Sequence, residues 1–505
     1  MCGIAGAFGD VSGAAVQDMI DTLAHRGPDD EAVYSAPGGS PSLGHRRLSI
    51  VDPHGGAQPI FSNDSKRAVV ANGEIYNFPA LQPELAQCHG FSTSSDNEAI
   101  LHLFEEHGPN LGRHLEGMYS FAIADEDRLI VARDPIGIKP LYLGRLGDAT
   151  VFASELKAFD PRADQVREFP PGHVWDSASG LSSFHSLASA TAPKHAEGRT
   201  IADYVAMVRE TIERVVIKHL MSDVPVGAFL SGGLDSSIIA ALARSQLDEL
   251  HTFAVGVEGS NDLEAARVVA GHLDTIHHEY VMTPDEVAAC LPEIIYYLES
   301  FDQDLVRSAI PCYFTSRLAA EHVKVVLTGE GADEIFAGYD YYKGIPSEAT
   351  LQEELYRSVS SLHNINLQRV DRMTMAHSIE GRVPFLDLEA VELGRKVPAE
   401  LKLSKDYPQG KWILRQAFED LLPHAIVWRD KEQFDEGSGT VDLLAGVSGL
   451  SSGAGELRDY RQRHKGAGLR SSEEGFYHRL LVDAYDNPEP VLANMGRWSE
   501  RPAFS

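Results

Sequence analysis

Seven consecutive residues, Ser231-Gly232-Gly233-Leu234-Asp235-Ser236-Ser237, combine the types that can hold a metal-bound polyphosphate. Two adjacent glycines lack Cβ atoms and admit positive φ, so backbone N–H groups can wrap an anion. Ser236 and Ser237 fall near an expected helix start, where unpaired N–H groups and the helix dipole favour phosphate. Asp235 alone would repel phosphate; beside one it implies a hard cation such as Mg²⁺. A second chemical centre is Cys2. A methionine before a small residue is commonly removed, which exposes Cys2 as the N-terminal residue. Its α-amino group, titrating near pH ~7.7–8, can act as base for its own thiol. Such a residue is nucleophile and base at once.

The elements around these residues must position them. Val224 to Leu230 reads as a short buried strand before the glycine loop, and Ile238 to Ala243 as helix after it. Thr252–Val257 reads as a strand, 262–272 as a helix, 277–281 as a strand and 284–299 as helical. Val323–Leu327 is a buried strand running into Thr328-Gly329-Glu330-Gly331-Ala332-Asp333-Glu334. This β/α alternation predicts a doubly wound parallel sheet with ligands at the carboxyl ends of its strands. Both glycine loops leave such ends and face one crevice. His251, His277 and His278 flank strands and read as structural or solvated, not as metal ligands. In the first half, residues 13–24 form an amphipathic pattern, Leu43–Asp52 alternates into a strand, and Val69–Asn77 is a strand entering a turn. Ser94–Glu98 caps a helix, and Met118–Ala124 pairs with Leu129–Asp134 across a hairpin. Residues 183–200 lose periodicity and read as a linker.

A chain of 505 residues is long enough for two or three domains. Its net charge of −30 argues against a nucleic-acid partner. Cys2, Cys88, Cys290 and Cys312 show neither metal-ligand spacing nor a disulfide framework, which fits a reducing cytoplasm. There is no signal-peptide pattern and no apolar run of the ~18 residues that span a bilayer, so no membrane partner is expected.

Cys2 at the start, His25-Arg26-Gly27-Pro28-Asp29, His45-Arg46-Arg47-Leu48-Ser49, Asn72-Gly73-Glu74 and Ser95-Asp96 occur in this order. Together they resemble the class II, N-terminal-nucleophile glutamine amidotransferase family over roughly residues 1–180. The resemblance implies an αββα sandwich that hydrolyses glutamine through a thioester on Cys2 and releases ammonia. It implies that Arg46 binds the α-carboxylate of glutamine, that Glu74 and Asp96 hold its α-ammonium, and that Asn72 and the Gly73 N–H form the oxyanion hole. Singly, Arg46 could be a surface ion pair, Asp96 a helix cap and Asn72-Gly73 a hairpin turn.

The second half resembles the N-type ATP pyrophosphatase fold of asparagine synthetases, and the whole chain resembles the glutamine-hydrolysing asparagine synthetase family. The fold class expected is therefore α/β with an α+β amino-terminal domain: residues 2–182 the glutaminase, 183–200 the linker, 201–505 the synthetase. The resemblance implies ATP at Leu230, Ser231, Gly232, Gly233, Asp235, Ser236, Val255, Gly329 and Lys411, with Mg²⁺ on Asp235 and Asp333. Glu330 and Lys431 would act at the acyl-adenylate. Glutamine, ATP and aspartate are the implied small-molecule partners, and the family suggests a homodimer.

The acceptor segment departs from the family pattern. Glu299-Ser300-Phe301-Asp302-Gln303-Asp304-Leu305-Val306-Arg307 lacks the familiar threonines but keeps Asp302 and Arg307, which are assigned to acceptor binding. Asp435–Thr440 resembles a segment also found in β-lactam synthetases, which typically lack the N-terminal cysteine. The alternative is the same amidotransferase chemistry on another carboxylate, as in natural-product biosynthesis.

Overall fold

A computed structural model describes residues 2–187, 198–403, 409–447 and 454–498. The amino-terminal half is built on two six-stranded antiparallel sheets. One runs in the order 164–168, 142–146, 149–153, 3–8, 42–47, 30–35; the other in the order 180–183, 173–176, 128–133, 117–125, 67–75, 60–61. Side-chain alternation decides the layers. On the central strand Arg67–Ile75, Ala68 and Val70 face the first sheet in a cluster with Ile4, Leu43 and Phe152. Val69 and Ala71 face outward, onto Ala99, Ile100 and Leu103 of the helix Glu98–His107. The helix Gly13–Asp21 covers the other sheet through Val16, Met19 and Ile20. The result is the expected αββα sandwich.

The expected helix cap at Ser94–Glu98 takes another form. The N-cap residue is Asn97, with no side-chain cap, while Glu98 reaches back to Ser92 and Thr93. The Asp96 carboxylate accepts instead from the Ile75 N–H at 2.6 Å, across the sheet edge.

The second half holds a five-stranded parallel sheet in the order 276–281, 251–256, 226–229, 325–327, 380–382. The switch point falls between 226–229 and 325–327, and the two glycine loops leave the carboxyl ends of those strands, as expected. Glu380–Arg382 is a strand that the apolar pattern does not announce: it has three residues, two of them charged. The linker reading of 183–200 falls partly on strand 180–183 and on residues before helix Ile201–Lys218; residues 188–197 lie outside the described ones. No helix among the described residues is long and apolar enough to cross a membrane.

A buried ion cluster joins the halves. Arg26 pairs with Glu155 at 2.5 Å and with Asp371 at 2.7 Å; Arg372 pairs with Glu299 at 2.7 Å, and Lys157 with Glu299 at 3.0 Å. Three cations meet three carboxylates, so the cluster balances its charge and avoids the penalty of an unpaired buried ion.

Candidate active sites

Cys2 is buried just before strand Gly3–Phe8. Its N–H donates to Asn72 Oδ1 at 2.9 Å, and its carbonyl accepts from Arg26 Nε at 3.0 Å. Burial pushes the Cys2 thiol up, while a hydrogen bond from the Leu48 backbone and the charge of Arg47 pull it down. Asn72 Nδ2 is buried without a hydrogen-bond partner and is available to a ligand. Gly73 has φ of +142°, and an added Cβ would drive into the Met118 carbonyl, so only glycine turns the backbone this way. Glu74 and Asp96 are buried close by. Burial, then the negative charge of Glu380, raises Glu74 well above the ordinary range, and burial lifts Asp96 to about 7. These groups favour a cation between them.

The structure does not bring Arg46 to Cys2. Its guanidinium turns to the outer helix layer, donating to the Ile20 carbonyl at 3.0 Å and pairing with Asp21 at 2.6 Å and with Glu31. The next residue, Arg47, stands beside Cys2 instead. Gly3 pairs with Arg46, so the antiparallel register sets Cys2 level with Arg47. Arg47 is 6 % exposed and lies on the face of His45, whose Nε2 meets the Ala71 carbonyl of the opposite sheet. Its guanidinium is held by the carbonyls of Asp52 at 2.6 Å and Pro53 at 3.2 Å. Strand periodicity carries this signal: in a period of two, Arg46 and Arg47 must face opposite ways.

The second site is a cavity of about 550 Å³ at the switch point. Leu230, Ser231, Gly233, Asp235, Ser236 and Val255 line one side; Gly329, Glu330, Asp333, Lys411 and Lys431 line the other. Gly232 shapes the turn instead: its φ is +69°, and a Cβ there would meet Ala265 and Ala266 at 2.5 Å. Helix Leu234–Arg244 starts at Gly233 with no side-chain cap. Gly329 lets the loops touch, since its Cβ would lie 2.9 Å from the Asp235 Cβ and the Ser236 nitrogen. Lys411 Nζ bridges Asp235 Oδ2 at 2.5 Å and Asp333 Oδ1 at 2.6 Å, and Lys431 Nζ pairs with Asp333 Oδ2 at 2.6 Å. These lysines hold Asp333 well below the ordinary carboxylate range, against the opposing effect of burial. Glu330 is paired with Arg369, a cavity residue that the motifs do not single out, yet burial still raises its carboxyl.

The acceptor assignments divide. Arg307 lines the cavity, but its guanidinium is engaged by Glu473 at 2.6 Å and 2.8 Å. Asp302 is the N-cap of helix Gln303–Ala320, accepting from Leu305 N–H at 3.1 Å and pairing with Arg470 at 2.9 Å. It is fully buried, anchors the start of that helix, and is not among the residues lining the cavity.

The family model described as glutamine amidotransferase domain matches residues 1–186, and the one described as asparagine synthase matches 207–349 and 343–484. The chain is 40% identical over 513 residues to a probable glutamine-hydrolysing asparagine synthetase of Schizosaccharomyces pombe, covering 94% of this chain and 91% of that one. The chain belongs to the glutamine-hydrolysing asparagine synthetase family. Members with similar likeness are asparagine synthetase B of Escherichia coli, 36% identical over 97% of this chain and 92% of its own, and asparagine synthetase 2 of Arabidopsis thaliana, 40% identical over 96% and 87%. In this asparagine synthetase relative, one contiguous apolar cluster runs from Leu48, Tyr76 and Met118 beside the Cys2 site to Leu230, Leu234 and Leu327 at the cavity.

Proposed function

We propose that the protein is an ATP-dependent asparagine synthetase. It hydrolyses glutamine at Cys2, passes the ammonia inward, and activates the side-chain carboxylate of aspartate as an acyl-adenylate; ammonia then displaces AMP to give asparagine. The observation that supports this most is the apolar cluster connecting two separately built sites, one with a buried nucleophile and one with a phosphate-type loop. A dry connection suits ammonia, which would be protonated and lost in water.

In this reading the Cys2 thiolate attacks the glutamine amide, with its own α-amine as base. Asn72 Nδ2 and the Gly73 N–H stabilise the oxyanion, Arg47 takes the α-carboxylate, and Glu74 and Asp96 take the α-ammonium. Water then cleaves the thioester to release glutamate. At the second site the Ser231–Ser237 N–H groups and Ser236 hold phosphates, and Leu230, Val255 and Gly329 border the nucleoside. Lys411 and Lys431 bring positive charge to the α-phosphate and the departing pyrophosphate. Glu330, raised by burial, suits acceptance of a proton from the attacking ammonia. Asp235 and Asp333 fit Mg²⁺, since they present two carboxylates and the buried Asp235 Oδ1 has no hydrogen-bond partner. The ion would neutralise phosphate charge. The chain divides as 2–182, 183–200 and 201–505 in this proposal, which also takes a cytoplasmic homodimer from the family resemblance.

The experiment supplies ATP, Mg²⁺, glutamine and aspartate and measures four products. Asparagine, AMP, pyrophosphate and glutamate in equal amounts support the reading. Glutamate without asparagine overturns aspartate as acceptor, and a screen of carboxylates by pyrophosphate release then finds the true one.

A further inference from the structure

Arg382 ends the edge strand of the parallel sheet, but its side chain leaves that sheet for the glutamine site. The guanidinium is fully buried. Nε donates to Glu380 Oε1 at 2.6 Å, and Nη1 donates to the carbonyls of His219 at 2.7 Å and Met221 at 2.6 Å. Nη2 has no hydrogen-bond partner, and it stands 3.6 Å from Glu74 Oε2, which is also buried without one. Two orphaned, oppositely charged atoms thus face each other across the seam between the halves. The guanidinium lies 5.8 Å from the centre of the Tyr76 ring, which stacks on His219. At 3.6 Å the pair is electrostatic rather than hydrogen-bonded, because three acceptors of its own half hold the guanidinium back.

Glu74 sits in a crowded negative field. Asp96 faces it from the segment before helix Glu98–His107, and Glu380 faces it from the synthetase strand. Arg382 and the chain's amino end oppose them. Burial and two like charges already push Glu74 toward its neutral form, which cannot hold an ammonium, and Arg382 opposes them. We propose that Arg382 is a positioning residue for glutamine: its guanidinium, 3.6 Å from Glu74 Oε2, favours the charged carboxylate as the substrate arrives and leaves that oxygen free for the α-ammonium. The inference rests on Glu74 and Asp96 being the ammonium pocket. It makes the synthetase half the supplier of a charge that the glutaminase half needs. The Arg382 carbonyl also accepts from the Thr328 N–H at 2.9 Å, directly before Gly329 and Glu330 of the second site.

The test compares full-length Arg382→Gln, Arg382→Lys and Glu74→Gln, with the Glu74→Gln/Arg382→Gln double variant. Glutamine KM and kcat are measured from pH ~6.5 to ~8.5. Ammonia-dependent synthesis at fixed free ammonia reports that each variant is folded, and Arg382→Met, which keeps the aliphatic stem, replaces the Gln variant if that one is not. Arg382→Gln is expected to raise KM at neutral pH by about tenfold or more, as one unit of carboxylate titration requires, with kcat little changed. The defect shrinks as pH rises, because alkali re-ionises a carboxylate whose titration has moved up. Arg382→Lys keeps KM within about threefold, since the charge remains. In the Glu74→Gln background the second substitution adds nothing. An unchanged KM in Arg382→Gln overturns the proposal, as does an equal rise with Lys and Gln at every pH, or additive effects in the double variant. If Glu74→Gln alone leaves KM unchanged, the ammonium-pocket reading itself falls, whatever the Arg382 variants do.

Discussion

Lys411 Nζ lies 2.5 Å from Asp235 Oδ2, so a lysine 176 residues further along the chain neutralises the aspartate of the glycine loop. The same nitrogen reaches Asp333 Oδ1 at 2.6 Å. The pair of carboxylates is therefore held by a cation that phosphate can take over. Lys411→Met leaves Asp235 without this partner, and losing one member of a buried pair costs about 3–5 kcal/mol. The variant is expected to lose adenylate formation by about 100-fold or more while glutaminase activity persists. Its melting temperature should also become strongly dependent on Mg²⁺. AMP release and melting curves with and without Mg²⁺ check this; equal Mg²⁺ dependence in the parent and the variant would contradict it.

Arg47→Gln and Arg46→Gln separate two neighbours. Arg47 is buried beside Cys2, so losing its charge is expected to raise the glutamine KM by about 30-fold or more, the worth of a 2–5 kcal/mol charged contact. Arg46 bonds the Ile20 carbonyl and forms outer-layer ion pairs worth about 0.2–1 kcal/mol, away from Cys2, so its loss should leave KM within a few-fold of the parent. Steady-state glutaminase kinetics decide the order.

Gly73→Ala tests the oxyanion turn. The new Cβ meets the Met118 carbonyl, and the +142° backbone must relax to a conformation that alanine accepts. That moves the Gly73 N–H, and the loss of one such donor costs about 100-fold in turnover. Ammonia-dependent synthesis by the same preparation should survive.

Asp96 gives a pH signature. Its folded value of about 7 stands above the ordinary 3.8, so the folded chain holds a proton there that the unfolded chain has already released. Stability from this group is present at acid pH and falls as pH rises toward 7. Asp96→Asn is therefore expected to raise the melting temperature at pH ~8 and to leave it unchanged near pH ~4. The same variant should lose glutamine affinity most at alkaline pH, where the parent carboxylate is ionised. A parent glutaminase whose kcat/KM stays flat down to pH ~6 would contradict the assignment.

Much of this architecture is legible in the residue pattern, and the gaps have physical causes. Strands 226–229, 251–256 and 325–327 announce themselves because parallel strands buried on both faces are continuous apolar runs. Glu380–Arg382 does not, because its two charges bury by pairing with each other and, across the seam, with Glu74 rather than through apolar side chains. The glycine loop and Asp333 gather in one cavity because they follow strand ends that topology brings together, and Lys411 and Lys431 reach it from the helical segments further along the chain. The motif alone does not separate Arg46 from Arg47, but a one-residue step on a strand moves a side chain to the opposite layer. Asp302 has the chemistry of a ligand group, yet its carboxylate is spent on a helix start and on Arg470. Partners more than a hundred residues away, such as Arg470 and Glu473, leave no local trace.

The most direct measurement is paired kinetics of Cys2→Ala with glutamine and with ammonia as nitrogen donor. The two-site scheme predicts that glutamine-dependent asparagine formation disappears while ammonia-dependent formation, with its AMP and pyrophosphate, stays near the parent rate. Loss of both activities in a folded variant, or persistence of glutamine use, would contradict it.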